Sequence, residues 1–189
     1  MRVSKEKLAE NRERILEAAA RLFRERGLAG AGVEALADAA GLTHGALYSQ
    51  FGSKDQLAAA ALEHALAGSA ARTGQARNLG EYASLYLSRS HRDTPGEGCA
   101  LAALGCDVQR QSNPLRQAFT AGVRRMATRL SQLVPGANNA RREQQALATA
   151  ATLVGALVLA RAVDDPQLSN DILRASREWI GQQQGPTTE

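Results

Sequence analysis

The sequence predicts an all-α protein, and three observations carry that reading. Hydrophobic residues make up 44% of the 189 but aromatics only 4%, with alanine abundant and β-branched runs scarce, which favours helix over strand. Apolar residues recur at i, i+3, i+4 and i+7 in successive segments. The breaks between segments carry helix start and stop residues: Gly27, Gly41, Thr43, a Ser-x-x-Gln box at 53–56, Asn113-Pro114 and Asp165-Pro166.

The first helix is expected over about residues 4–26, where Ile15, Ala18, Ala19, Leu22 and Phe23 form one stripe and Gly27 stands at C′. Gly27, Gly30 and Gly32 then read as a loose connector. They lack a preceding strand and the GxGxxG spacing, so they are no phosphate loop. Val33, Leu36, Ala37 and Ala40 mark a short helix closed by Gly41, and Thr43 caps a third over His44–Phe51. Ser53-Lys54-Asp55-Gln56 is a capping box that opens a long fourth helix reaching about Gly74. Beyond it the pattern predicts helices over about 79–92, 99–111, from Asn113 to Pro135-Gly136, from Asn138 or Asn139 to about Val163, and from Asp165-Pro166 to about Gln184. Residues 185–189 read as a disordered tail. No fixed-period repeat is visible.

Other classes are disfavoured. The longest near-apolar run, 146–160, is short for a bilayer span, and the charged N-terminus has no apolar h-region, so neither membrane nor secretion is expected and the default location is cytoplasmic. Cys99 and Cys106 lie roughly 10 Å apart if on one helix, beyond disulfide reach. His44, His64 and His91 share no metal-ligand spacing, so no metal and no cofactor is expected. The chain has 23 basic and 19 acidic residues, +4 overall. Up to Gln56 nine basic and eight acidic residues leave only +1, so bulk charge does not mark this part as a nucleic-acid binder.

Any such reading must rest on local geometry. Two short helices around Gly41-Leu42-Thr43 fit a helix-turn-helix unit. On the second, Leu47 and Phe51 face the core, while Gly45, Ala46, Tyr48 and Ser49 point away. Gly45 and Ala46 are small enough for close approach to a groove, Tyr48 and Ser49 offer hydroxyls, and His44 adds a donor. The first turn aims N–H groups and the positive dipole end outward. A plain structural bundle carries the same turn glycine, so the pattern alone leaves both readings open.

The stretch from about Arg12 to Leu66 resembles the DNA-binding domain of TetR-family transcriptional regulators. The matching string is Ile15-Leu16-x-Ala18-Ala19-x-x-Leu22-Phe23, Gly27, then Val33-x-x-Leu36-Ala37-x-x-Ala40-Gly41-Leu42-Thr43-x-Gly45-x-Leu47-Tyr48-x-x-Phe51-x-Ser53-Lys54-x-x-Leu57. The resemblance implies a homodimeric regulator, usually a repressor, that binds palindromic double-stranded operator DNA and is released by a small ligand. It implies a helix-turn-helix domain at 1–54 and a helical effector-binding and dimerisation domain at 55–184. Thr43, Tyr48 and Lys54 match positions that commonly contact phosphates, and Gly45 the small residue that lets the recognition helix sit close. Gly32 departs from the Thr or Ser usual before the second helix, and Gln50 from the usual His or Tyr.

In the C-terminal part, Tyr82, Leu85, Tyr86, Leu104, Phe119 and Met126 read either as core or, as the resemblance implies, as partial lining of an effector cavity. His64 and His91 read as surface or satisfied core, Arg124-Arg125 as a solvated face. Gly98-Cys99 starts a helix, where a thiol gains reactivity; the segment also resembles the NemR-type subgroup, some members of which sense electrophiles or oxidants through a cysteine here. The alternative is a small buried hydrophobe, and Cys106 reads as core. The last two helices are apolar on many sides; Leu153, Leu157, Ile172 and Trp179 are expected at a dimer interface, as the resemblance implies. The competing function is an all-helical small-molecule-binding protein or enzyme without specific operator binding, but no converging nucleophile, base or metal set supports catalysis.

Overall fold

Four of the five stripe residues expected on the first helix are buried, Ile15, Ala19, Leu22 and Phe23 on α1 (Lys5–Gly30), while Ala18 is half-buried. A computed structural model describes residues 5–135 and 138–183, and of residues 69–72 the backbone alone. The expected tail at 185–189, and Ser4 and Gly136, lie outside the described residues. Among the described residues every regular element is helical. After α1 come α2 (Val33–Ala40), α3 (His44–Phe51) and α4 (Lys54–Thr73). Next are α5 (Leu79–Tyr86), α6 (Arg89–Asp93), a 3₁₀ turn at Pro95–Glu97 and α7 (Ala100–Val108). The chain continues through α8 (Asn113–Ser131), α9 (Asn139–Ala162) and α10 (Pro166–Gln182).

The chain divides into two compact units, Met1–Ser69 with Pro95–Thr120, and Ala70–Thr94 with Ala121–Glu189. In the first, α1 packs on α2, α7 and the 3₁₀ turn. Leu36 and Ala37 of α2, Leu47 and Phe51 of α3, and Leu57, Ala61 and Leu62 of α4 complete its core. In the second, α10 packs on α9 and α5, and α6 on α9. Its core includes Leu79, Tyr82, Leu130, Leu153, Leu157, Leu173 and Ile180.

Four expectations change. The connector after α1 is shorter than its three glycines suggest: Gly27 breaks the helix at φ 72, ψ 170, but Leu28–Gly30 resume a helical turn. The expected helix over 79–92 is two. Ser88 accepts a hydrogen bond from His91 N at 3.2 Å and starts α6, while Arg177 donates to the Leu87 carbonyl at 2.8 Å. A side chain from α10 thus satisfies the carbonyl at the break, with no Gly or Pro there to announce it. Leu85 is 41% exposed, not core. The apolar stretch near 146–160 belongs to a 24-residue helix that is long and apolar enough to cross a membrane by length and composition. In this fold α9 is instead a core helix, with Ala146, Thr149, Leu153, Ala156, Leu157 and Ala160 buried on one face.

Long cations hold both units together. Arg24 donates to the Gly96 carbonyl within the first. In the second, Arg161 donates to the carbonyls of His91 (2.6 Å) and Arg92 (3.0 Å), and Arg129 to those of Gly74 (3.0 Å) and Ala76 (2.7 Å). Arg92 reaches Ser169 and Asn170, and its hydrogen bond to Asp93 holds that carboxyl below its ordinary pKa.

The break at Gly27 is fixed by Asp107 on α7, whose Oδ2 accepts from Leu28 N at 2.9 Å. A Cβ at Gly27 would stand 2.8 Å from that oxygen, in a backbone region close to glycine-only. Gly27→Ala is therefore expected to destabilise the protein by about 1–3 kcal/mol or more, read as a lowered melting temperature. An unchanged melting temperature would show that the kink and the Asp107 contact relax freely.

Candidate nucleic-acid interface

The turn between α2 and α3 is built by local rules. Gly41 takes the left-handed conformation at φ 62. Its N–H donates to the Asp38 carbonyl (2.9 Å) and Leu42 N–H to that of Ala37 (3.0 Å), which closes α2 with a Schellman pair. Thr43 caps α3, its Oγ1 accepting from Ala46 N at 3.4 Å. Gly32 at the head of α2 makes no side-chain cap bond, the structural counterpart of the missing Thr or Ser. Ser53 opens α4 by accepting from Gln56 N at 3.1 Å.

The two faces of α3 separate cleanly. Leu47 and Phe51 are buried. Thr43, His44, Gly45, Tyr48 and Ser49 are exposed, and Ala46 is half-buried. Tyr48 is 43% exposed and meets the His44 ring edge-on at 5.1 Å. Ser49 Oγ donates to the Ala46 carbonyl at 2.9 Å, so its oxygen remains an outward acceptor. A Cβ added at Gly45 would meet nothing within 4 Å. No packing within the chain calls for a glycine there. This face can accept a groove floor closely and offer hydroxyl, imidazole and backbone N–H groups to phosphates.

Lys54 is placed differently from its neighbours. Its ammonium donates to the Leu28 carbonyl at 3.1 Å and is half-buried. It closes the last turn of α1, leaving two of its three donors for any outside group. Two residues not singled out from the sequence belong to the same frame. Arg14 donates to the Ala40 carbonyl at the end of α2 (2.7 Å), and Arg12 to the Gln50 carbonyl near the end of α3 (3.2 Å). The signal for them was indirect: α1, α2 and α3 carry no basic residue in their own last turns.

With this geometry in place, the comparisons show what the frame is similar to. Residues 15–61 match the model of bacterial regulatory proteins, tetR family. The match covers the first three helices after the start of the stripe and the head of α4, about a quarter of the chain, and marks this part as similar to the tetR DNA-binding domain. Solved structures extend the likeness along the chain. The reduced form of E. coli NemR superposes with a TM-score of 0.75 at 23% identity, over 92% of this chain and 96% of that one. A TetR-family regulator from Cytophaga hutchinsonii gives 0.76 at 21% identity, over 96% and 98%. The multidrug binding protein EbrR, complexed with imidazole, gives 0.66 at 22% identity, over 94% and 96%. At such identities these establish a shared fold, the all-helical fold of TetR regulators. No curated protein matches the sequence.

The other candidate residues fall into place unit by unit. In the first unit, Cys99 is 6% exposed at the N-cap of α7, Leu104 is buried, and Phe119 is half-buried, its ring 3.6 Å from where a Gly105 Cβ would be. Cys106 is exposed, not core. Leu101, Leu104 and Val108 define the buried face of α7, and position 106 lies on the opposite side. In the second unit, Tyr82, Tyr86 and Met126 are buried. Tyr82 stacks on Tyr86 at 6.2 Å, and the buried His91 ring meets Tyr86 edge-on at 4.8 Å. His91 Nδ1 lies 2.5 Å from the Tyr86 carbonyl, a satisfied core histidine.

The dimer-interface expectation needs correction at two residues. Leu153 and Leu157 are fully buried within their own unit and have no surface to offer a partner. Ile172 is half-buried and Trp179 is 45% exposed, and they lie with exposed Leu168 and Ala175 at i, i+4, i+7 and i+11. Ser169, Leu173 and Ile180 face inward. On α9, Leu147 and Leu159 are exposed as well. The apolar breadth seen in sequence thus divides into a filled inner face and a bare outer one.

Lys54→Met is expected to lower stability by about 1 kcal/mol, because the Leu28 carbonyl loses a charged donor. The midpoint of urea unfolding measures it, and an unmoved midpoint would show the contact contributes nothing.

Proposed function

We propose that this protein is a one-component transcriptional regulator, acting as a repressor in the cytoplasm. A homodimer presents two copies of α3 to a palindromic operator, and a small-molecule or electrophile effector releases it. The observation that carries this reading is the outer face of α3. It is exposed, small at Gly45 and Ala46, and polar at Thr43, His44, Tyr48 and Ser49, on a helix anchored by Leu47 and Phe51. Lys54 adds a positive charge at the head of α4. The DNA-reading part is assigned to residues 1–54, and effector binding and dimerisation to 55–184. The fold shared with EbrR, which holds imidazole, supports a small-molecule effector. Candidate effector contacts are considered unit by unit: Leu104 and Phe119, with Cys99 as the thiol at the start of α7, in the first, and Tyr82, Tyr86 and Met126 in the second. Pro95–Val108 is suited to carry the signal, since Gly96 and Asp107 both bond to α1.

The outer stripe Leu168, Ile172, Ala175 and Trp179, with Leu147 and Leu159, supports dimerisation through α9 and α10. A contiguous exposed apolar stripe on paired helices is the kind of surface that marks an association site. The two recognition helices would then sit about one DNA turn apart, roughly 34–36 Å or somewhat more on distorted DNA.

A gel shift with the DNA upstream of its own gene tests the function. Specific retention of a palindromic fragment over random DNA is expected, and equal retention of both would sink operator recognition. Gly45→Ala is expected to keep or raise the melting temperature, since a helical glycine costs about 0.5–1 kcal/mol relative to alanine, yet to weaken operator binding. Undiminished binding would remove Gly45 from the interface. For the dimer, Trp179→Arg should sediment as a folded monomer at micromolar concentration, whereas Leu157→Arg should fail to fold because it buries an unpaired charge. A Trp179→Arg dimer, or a wild-type monomer, would overturn the assignment.

A further inference from the structure

We propose that Arg12 is a positioning residue for the recognition helix, and that it sets operator specificity without touching DNA. The proposal rests on the operator-binding reading above and adds a residue to it. α3 is only eight residues long, about two turns, and its last turn has no basic residue. Near its end, the Tyr48 carbonyl accepts from Gly52 N (2.8 Å) and the Phe51 carbonyl from Ser53 N (2.8 Å). The carbonyl of Gln50 is served from another helix, by Arg12 Nη1 at 3.2 Å. The same guanidinium lies over the Phe51 ring, its carbon 4.3 Å from the centroid.

The two contacts fall on consecutive residues and are chemically distinct. The hydrogen bond fixes where the end of α3 lies. The ring contact fixes how α3 is rotated about its axis, because Phe51 is one of its two buried anchors. Together with the N-cap bond at Thr43, they pin the helix at both ends. The cation also sits at the negative end of the helix dipole. Arg14 serves the end of α2 in the same manner, through the Ala40 carbonyl. A planar guanidinium can lie over a ring and donate at its edge at once, a geometry that the compact, strongly hydrated ammonium of lysine matches less well. Arg12 is itself exposed, so its replacement leaves the core of Ile15, Phe23, Leu36 and Leu47 intact.

A phosphate contact by Arg12 is the competing role, and three measurements on the full-length protein separate the two. The first is the affinity of wild type, Arg12→Ala and Arg12→Lys for the operator and for random DNA across a salt series. Both variants should lose roughly fivefold or more for the operator, with random-DNA affinity and salt slope unchanged. If Arg12→Lys retains wild-type affinity while Arg12→Ala loses about 0.9 in salt slope, Arg12 binds phosphate and the proposal falls. The second is the melting temperature, which should stay near wild type in both variants; a large drop would make the role generally structural and overturn the proposal. The third is amide hydrogen exchange without DNA. It should quicken at Tyr48–Gly52 in Arg12→Ala and stay unchanged in the buried part of α1; unchanged exchange in α3 defeats the proposal regardless of DNA. Failure of wild type to prefer any operator would instead refute the regulator reading, while the exchange result would still decide the role of Arg12 in holding α3.

Discussion

The end of a helix leaves carbonyls that the helix itself cannot satisfy, and this constraint organises the protein. A chain whose described residues form ten α-helices has many such ends. Here long cations from other helices answer them. Arg12 serves α3, Arg14 serves α2, and Lys54 serves α1. Arg177 serves the end of α5, Arg161 the end of α6, and Arg24 the turn at Gly96. Few basic residues stand in the last turns of the helices they would complement, so the caps come from elsewhere in the chain. The modest excess of positive charge is spent largely on holding helices in place.

This arrangement leaves the outer face of α3 available. The cations that pin α2 and α3 act at the ends of those helices, while His44, Gly45, Tyr48 and Ser49 stay exposed. Open space at Gly45 is one case: a Cβ there would meet nothing within 4 Å, so the fold itself does not require a glycine. Lys54 stands between the two roles, spending one donor on α1 and keeping two.

In the second unit, the division of α10 into two apolar faces has the same logic at larger scale. Leu173 and Ile180 satisfy the unit's own core. Leu168, Ile172 and Trp179 do not, and they make the stripe broad enough to bury against another surface. α9 shows why hydropathy alone misleads here: its length and apolar content would suit a bilayer, but one face is already filled by α10 and α6.

Local chemistry in the sequence determined the helix-turn-helix in full. Val33–Ala40, Gly41, Thr43 and His44–Phe51 follow from caps and a 3.6-residue period that act within a few residues. The division of α3 into Leu47 and Phe51 inside and Tyr48 and Ser49 outside follows likewise. Tertiary structure alone decided what depends on a distant partner. Ser88 starts a new helix because α10 supplies Arg177 to the carbonyl left behind. Leu153 and Leu157 are core and Trp179 is surface, because burial depends on which face of each helix meets its neighbours and not on apolar content. Cys106 is exposed for the same reason on α7. Arg12 and Arg14 were invisible as anchors, since a hydrogen bond spanning 38 or 26 residues leaves no periodic trace in the chain.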